Sequence, residues 1–106
     1  MMWAWLLAAI ICEVIGTTSL KLSYGFSKLF PSISTVFFYG LSFFSLSLAL
    51  KSLDIGIAYS IWSGLGTAIV AIIGVYLFGE PYGTLKTISI LLIIIGVVGL
   101  NLSLHS

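Results

Sequence analysis

The sequence has no arginine, and only 7% of its 106 residues carry charge: four Lys, two Glu and one Asp. A soluble domain carries about 25%. With 60% of the residues hydrophobic, a solvated globular fold is excluded and a membrane protein is expected. A net charge of +1 and the lack of a basic patch remove the electrostatic case for nucleic acid. The single cysteine, Cys12, can form no intrachain disulfide and reads as a small packing residue. No basic residue precedes the first apolar run and no obvious cleavage site follows it, so that run reads as a retained span rather than a signal peptide. There is no His–Ser–Asp set, no metal-ligand spacing and no phosphate-binding loop. The chain is therefore expected to be no enzyme and to hold neither metal nor cofactor.

What remains is four apolar segments, at about 3–20, 32–50, 56–78 and 85–104, with His105 and Ser106 as a tail. Each has about the ~20 residues a bilayer crossing takes at ~1.5 Å per residue. The breaks between them are Lys21 to Lys28, Lys51 to Asp54, and Gly79-Glu-Pro-Tyr-Gly83, the strongest turn signal. Pro31 fits the first turn of the second helix. The reading is one four-helix transmembrane domain, all-α, with consecutive helices as antiparallel neighbours because the links are short. Four spans put both termini on one side, with Lys21, Lys28 and Lys86 on one face of the membrane and Lys51 on the other. That bias orients the chain weakly. It fits either a single orientation set by Lys21 and Lys28 or insertion both ways round.

The first span carries one charge, Glu13, near its middle. Ionisable groups at that depth are costly and mark ion or substrate paths by default. Among its helical neighbours Ala9, Gly16 and Thr17 are small, which leaves room beside the carboxylate for another helix or a ligand. The plainer alternative is a structural acid neutralised by a partner, but Lys21 lies roughly 12 Å further along the axis.

Two more helices carry polar or aromatic faces. The second has Ser32, Thr35, Tyr39 and Ser42 at helical spacing; Ser32 and Thr35 read as interhelical hydrogen bonds, and Tyr39 sits below the usual aromatic belt. The third opens Gly56-Ile-Ala-Tyr-Ser-Ile-Trp-Ser-Gly-Leu-Gly66 and places Tyr59, Trp62, Ser63 and Gly66 on one face. Trp62 lies roughly 9 Å inward from Gly56, as either an aromatic core contact or a ring that attracts organic ammonium ions. Gly64 and Gly66 weaken the helix and are expected to let it bend. The fourth has a seam of Leu85, Ser89, Leu92, Gly96, Gly99 and Ser103. It reads as a dimer contact, with packing inside one chain as the alternative. Glu80 and Asp54 read as solvated turn residues. One carboxylate, three aromatics and a few hydroxyls suit the binding of a cation and a proton.

At these residues the chain resembles the small multidrug resistance family of bacterial transporters over nearly its whole length. The likeness rests on Glu13-Val-Ile-Gly-Thr-Thr18, Gly25-Phe26, Pro31-Ser32 and the segment from Gly56 to Gly66. It implies an antiparallel, dual-topology homodimer that exchanges protons for cationic substrates. It also implies that Glu13 is shared by proton and substrate, that Tyr39, Tyr59 and Trp62 line the site, and that the fourth helix dimerises. Where the family often has two glycines seven residues apart, this chain has Ser89 and Gly96. Gly16 and Tyr39 resemble the drug-exporting branch, since the guanidinium-exporting branch typically has Trp beside the acid and lacks that Tyr.

The expectation is a proton-coupled antiporter of hydrophobic or quaternary-ammonium cations in the bacterial plasma membrane. Its substrate residues would be Glu13, Tyr39, Tyr59, Trp62, Gly16, Thr17, Ser42 and Ser63. Its partners would be protons, organic cations, the lipid bilayer and a second copy of the chain, with a heterodimer as the other assembly. The alternatives are a guanidinium or polyamine exporter of the same family and a non-transporting subunit of a heteromer.

Overall fold

A computed structural model describes residues 2–103; the end of the fourth apolar segment at Leu104 and the tail lie outside the described residues. The chain forms α1 (Met2–Leu22), α2 (Leu29–Ala49), α3 (Ile55–Phe78) and α4 (Thr84–Ser103). All four are long and apolar enough to cross a membrane. α2 begins at Leu29, ahead of the Ser32 expected from the sequence, because Pro31 occupies its first turn, where a missing N–H costs no hydrogen bond.

The α1–α2 turn is organised by Ser23, whose hydroxyl donates to the Leu20 carbonyl at 2.7 Å and accepts from the Phe26 N–H at 3.1 Å. Its carbonyl accepts from the N–H groups of Ser27 and Lys28. These bonds offset a left-handed run through Tyr24, Gly25 and Phe26 (φ 47°, 70° and 65°), which costs the two non-glycine residues roughly 1–2 kcal/mol each.

α1 is the central helix. It packs along α2 on one side and α3 on the other, and α4 packs on α3. Consecutive helices are therefore not always neighbours: α2 and α3 meet chiefly through side chains, with α1 beside both. Small buried residues allow this, Ala9 on α1, Ala49 on α2 and Ala58 on α3 all lying in the core with Leu6, Ile10, Val14, Leu46 and Ile61. The result is a slab of 47 × 35 × 16 Å. Since a helix with its side chains is already ~10–12 Å across, that thickness leaves no room for a channel enclosed between helix layers.

None of α4's described residues is buried. The face it turns to α3 carries Ile93 and Val97, which press on Gly64. Ser89, Leu92, Gly96 and Gly99 are exposed, and a Cβ at Gly96 or Gly99 would meet nothing within 4 Å. These four seam residues thus make no close packing with the rest of the described chain.

Candidate functional site

The site starts from the position of Glu13, half-way along α1, where the only groups able to satisfy a carboxylate come from neighbouring turns and helices. One turn on, the Thr17 hydroxyl donates to Glu13 Oε1 at 3.1 Å. The Tyr39 hydroxyl of α2 lies 2.7 Å from the same Thr17 oxygen. A hydroxyl has one proton to give, and that of Thr17 goes to the carboxylate, so Tyr39 is the donor in the second bond. Tyr39, Thr17 and Glu13 form a directed chain of hydrogen bonds across two helices.

The other oxygen, Oε2, faces α3. A Cβ on Gly66 would lie 2.7 Å from it, so only glycine at position 66 lets the carboxylate lie against that helix. Oε2 is buried and has no hydrogen-bond partner; the same holds for the indole Nε1 of Trp62, on the same helix. Unpaired buried polar atoms cost roughly 1–3 kcal/mol each, and such groups in a helical bundle mark a place where a ligand or proton completes the set.

Trp62 is flanked by two rings. Tyr59 lies 5.4 Å from it and Phe43 of α2 5.7 Å, both tilted at 57°. Trp62 itself leans on the core, whereas Tyr59 and Phe43 are 56% and 59% exposed. Together they make an aromatic wall that is open on one side. Phe43 was not singled out from the sequence. Its signal is its place one turn after Tyr39 on the same face, obscured because α2 holds five phenylalanines.

The remaining expected residues fall into two groups. Gly16 is buried under the Tyr39 ring, and a Cβ there would stand 2.6 Å from Tyr39 Cδ1. The room expected beside the acid is thus filled by Tyr39, and Gly16 is what lets that ring cross α1. Ser63 is half-buried next to Trp62. The others are engaged elsewhere: the Ser42 hydroxyl is buried and donates to the Ala9 carbonyl at 2.7 Å, clasping α2 to α1. Gly64 gives α4 its close approach, with its Cβ position 3.0 Å from Val97 Cγ2. α3 runs unbroken through Gly64 and Gly66, and both glycines allow a close approach, Gly64 to α4 and Gly66 to Glu13. Lys21 is exposed, and the hydrogen bond to Glu13 comes from Thr17.

A mid-helix carboxylate with one unpartnered oxygen, lying against the helix that carries Trp62 one turn away, can hold a proton or an organic cation. Residues 1–93 match the Small Multidrug Resistance protein family. The chain is 46% identical over 100 residues to the quaternary ammonium compound-resistance protein QacE of Escherichia coli, covering 94% of this chain and 91% of that one. It is 41% identical over 105 residues to the guanidinium exporter of Escherichia coli K12, covering 99% and 100%. An uncharacterized membrane protein of Bacillus subtilis, YvaE, is 51% identical over 105 residues, covering 99% and 88%. The chain is thus a multi-pass membrane protein of the Small Multidrug Resistance family, whose members are transporters and not enzymes.

Proposed function

We propose that the protein is a proton-coupled antiporter that exports hydrophobic and quaternary-ammonium cations across a bacterial plasma membrane, working as two copies inserted in opposite orientations. The observation that carries the reading is the unpartnered oxygen of Glu13, buried at mid-helix against Gly66 of α3, one turn along that helix from Trp62. A proton on either oxygen removes the negative charge that a cation against the carboxylate needs. The two cannot occupy Glu13 together, and that exclusion couples their fluxes. Tyr59, Trp62 and Phe43 offer ring faces, which attract quaternary ammonium groups better when desolvated.

A second copy supplies what one chain lacks. The slab is too thin to enclose a path, and the small-residue seam of α4 faces outward. An inverted copy would give a two-fold axis in the membrane plane and a second Glu13, as inverted repeats do in larger transporters. The weak lysine bias permits that insertion.

The quaternary ammonium resistance relatives and the pairing of Gly16 with Tyr39 favour bulky cations. The similarity to guanidinium exporters makes guanidinium the competing substrate. Solid-supported electrophysiology of the reconstituted protein tests both, with guanidinium, tetraphenylphosphonium and spermidine compared. Proton flux driven by tetraphenylphosphonium is expected. Flux driven by guanidinium alone would reassign the substrate, and no flux with any of the three would favour the non-transporting subunit.

A further inference from the structure

A cavity of about 240 Å³ lies between the C-terminal parts of α1 and α3, reaching Thr17 one turn after Glu13, whereas Tyr59 and Trp62 stand near the start of α3. Thr17, Thr18 and Lys21 of α1, Gly74 and Phe78 of α3, and Glu80 of the following turn are on its wall. A water molecule occupies roughly 30 Å³ of liquid, so the cavity has room for several, and its hydroxyls and charged groups would bind them. Its inner end is Thr17, whose hydroxyl is bonded to Glu13 Oε1. Its outer end is Glu80, in the turn just past α3.

The backbone is built to place the Glu80 carboxylate there. Gly79 adopts a left-handed φ of 66° and ends α3, and the Glu80 N–H donates to the Gly74 carbonyl at 3.0 Å. The carboxylate then folds back over Gly74: a Cβ at position 74 would stand 2.9 Å from Glu80 Cδ. The seat exists because residue 74 has no side chain. The charged groups facing the cavity are Lys21 from α1 and Glu80 itself. The α3 residues on its wall bring none, and behind Thr17 stand Glu13 and Tyr39.

We infer that this cavity is the proton entrance to Glu13, separate from the path of the organic cation along the aromatic wall, with Glu80 as the group that exchanges protons with bulk water. Lys21 offsets the charge of Glu80, so the mouth has no net pull on an organic cation. A proton taken up by Glu80 passes to the water of the cavity. Thr17 accepts a proton on its oxygen as it hands its own to Glu13 Oε1, so one proton is gained at Glu13 for each one lost at Glu80. In an oppositely inserted pair, each membrane face has one such entrance. The inference rests on the antiport reading above.

The test uses the full-length protein in liposomes, with Glu80→Gln and Gly74→Ala alone and combined. Tetraphenylphosphonium affinity at pH 9 should stay within about twofold of the parent in every variant, since Glu13 and the rings are untouched. Proton-driven uptake should fall about tenfold or more in Glu80→Gln, a positioned acid–base group speeding proton transfer by ~10²–10⁴. Added imidazole should restore it by carrying protons in place of Glu80. Gly74→Ala should slow uptake by displacing the carboxylate, and should add nothing in the Glu80→Gln background. Parental uptake in Glu80→Gln, lost affinity at pH 9, or equal slowing by Gly74→Ala in both backgrounds would overturn the proton entrance. A parent without proton-coupled flux would instead overturn the antiport reading.

Discussion

Adding a single methyl group at Gly16 is expected to disturb the site more than its size suggests. The Cβ would stand 2.6 Å from Tyr39 Cδ1 and 2.8 Å from Cε1. To reach an ordinary contact of ~3.5 Å the ring must retreat by roughly 1 Å. The Tyr39–Thr17 bond, now 2.7 Å, would then lie outside hydrogen-bond range. Losing it costs roughly 1 kcal/mol, and the crowded ring adds a strain of ~1–3 kcal/mol to the fold. Since Tyr39 holds the Thr17–Glu13 chain, Gly16→Ala should weaken tetraphenylphosphonium binding by about five- to tenfold, at ~1.4 kcal/mol per factor of ten. Gly16→Trp should go further. An indole one turn from Glu13 must push the Tyr39 ring aside, into the space around the acid, so the preference should move toward small guanidinium-like substrates. Isothermal titration calorimetry with both cations measures the ratio, and Tyr39→Ala supplies the control. If Gly16→Ala weakens binding equally with and without the Tyr39 side chain, the ring is not the intermediary and the reasoning fails.

Other outcomes follow from the same geometry. Trp62→Ala should weaken aromatic-cation binding by ~1–2 kcal/mol through the lost ring face, and an unchanged dissociation constant would return Trp62 to packing. Phe43→Ala should cost less, ~0.5–1.5 kcal/mol, as it removes one ring contact on Trp62; a loss larger than that of Trp62→Ala would contradict this order. A Cβ at Gly96 meets nothing within 4 Å, so Gly96→Leu should leave the helices intact while shifting the detergent-solubilised protein from dimer to monomer by light scattering. A fully dimeric variant would place the interface elsewhere. Single cysteines at Asp54 and Gly83, in a Cys12→Ser background, should each label from both sides of intact cells; labelling from one side only would exclude dual insertion.

The parts of this account legible in the sequence are those set by one helix at a time. Spacing alone puts Tyr59, Trp62 and Gly66 on one face of α3, and the isolated charge identifies Glu13. The α4 seam is likewise a one-helix pattern, and it is exposed because α3 meets a different face, that of Ile93 and Val97. What could not be read depends on contacts between helices. Gly16 looks like space until Tyr39 arrives from α2, and Ser42 looks like a site hydroxyl until the Ala9 carbonyl takes its proton. That Gly64 lies under Val97 of α4 is likewise invisible within α3. Glu80 reads as a solvated turn residue and is exposed, but nothing in its neighbours shows that its carboxylate folds back onto Gly74.

The central claim is that proton and cation exclude one another at Glu13, and tetraphenylphosphonium binding by calorimetry from pH 5 to pH 9 tests it most directly. The cation binds the carboxylate form, so a bound proton must leave first. Affinity should rise with pH, by up to about tenfold per unit while one proton is displaced per cation, and level off once the acid is fully ionised. If two copies pair, the midpoint belongs to both acids together. Glu13→Gln cannot exchange a proton, and should give a folded protein that no longer takes up the cation under a proton gradient. Affinity that stays flat with pH in the parent, or gradient-driven uptake by Glu13→Gln, would contradict the account.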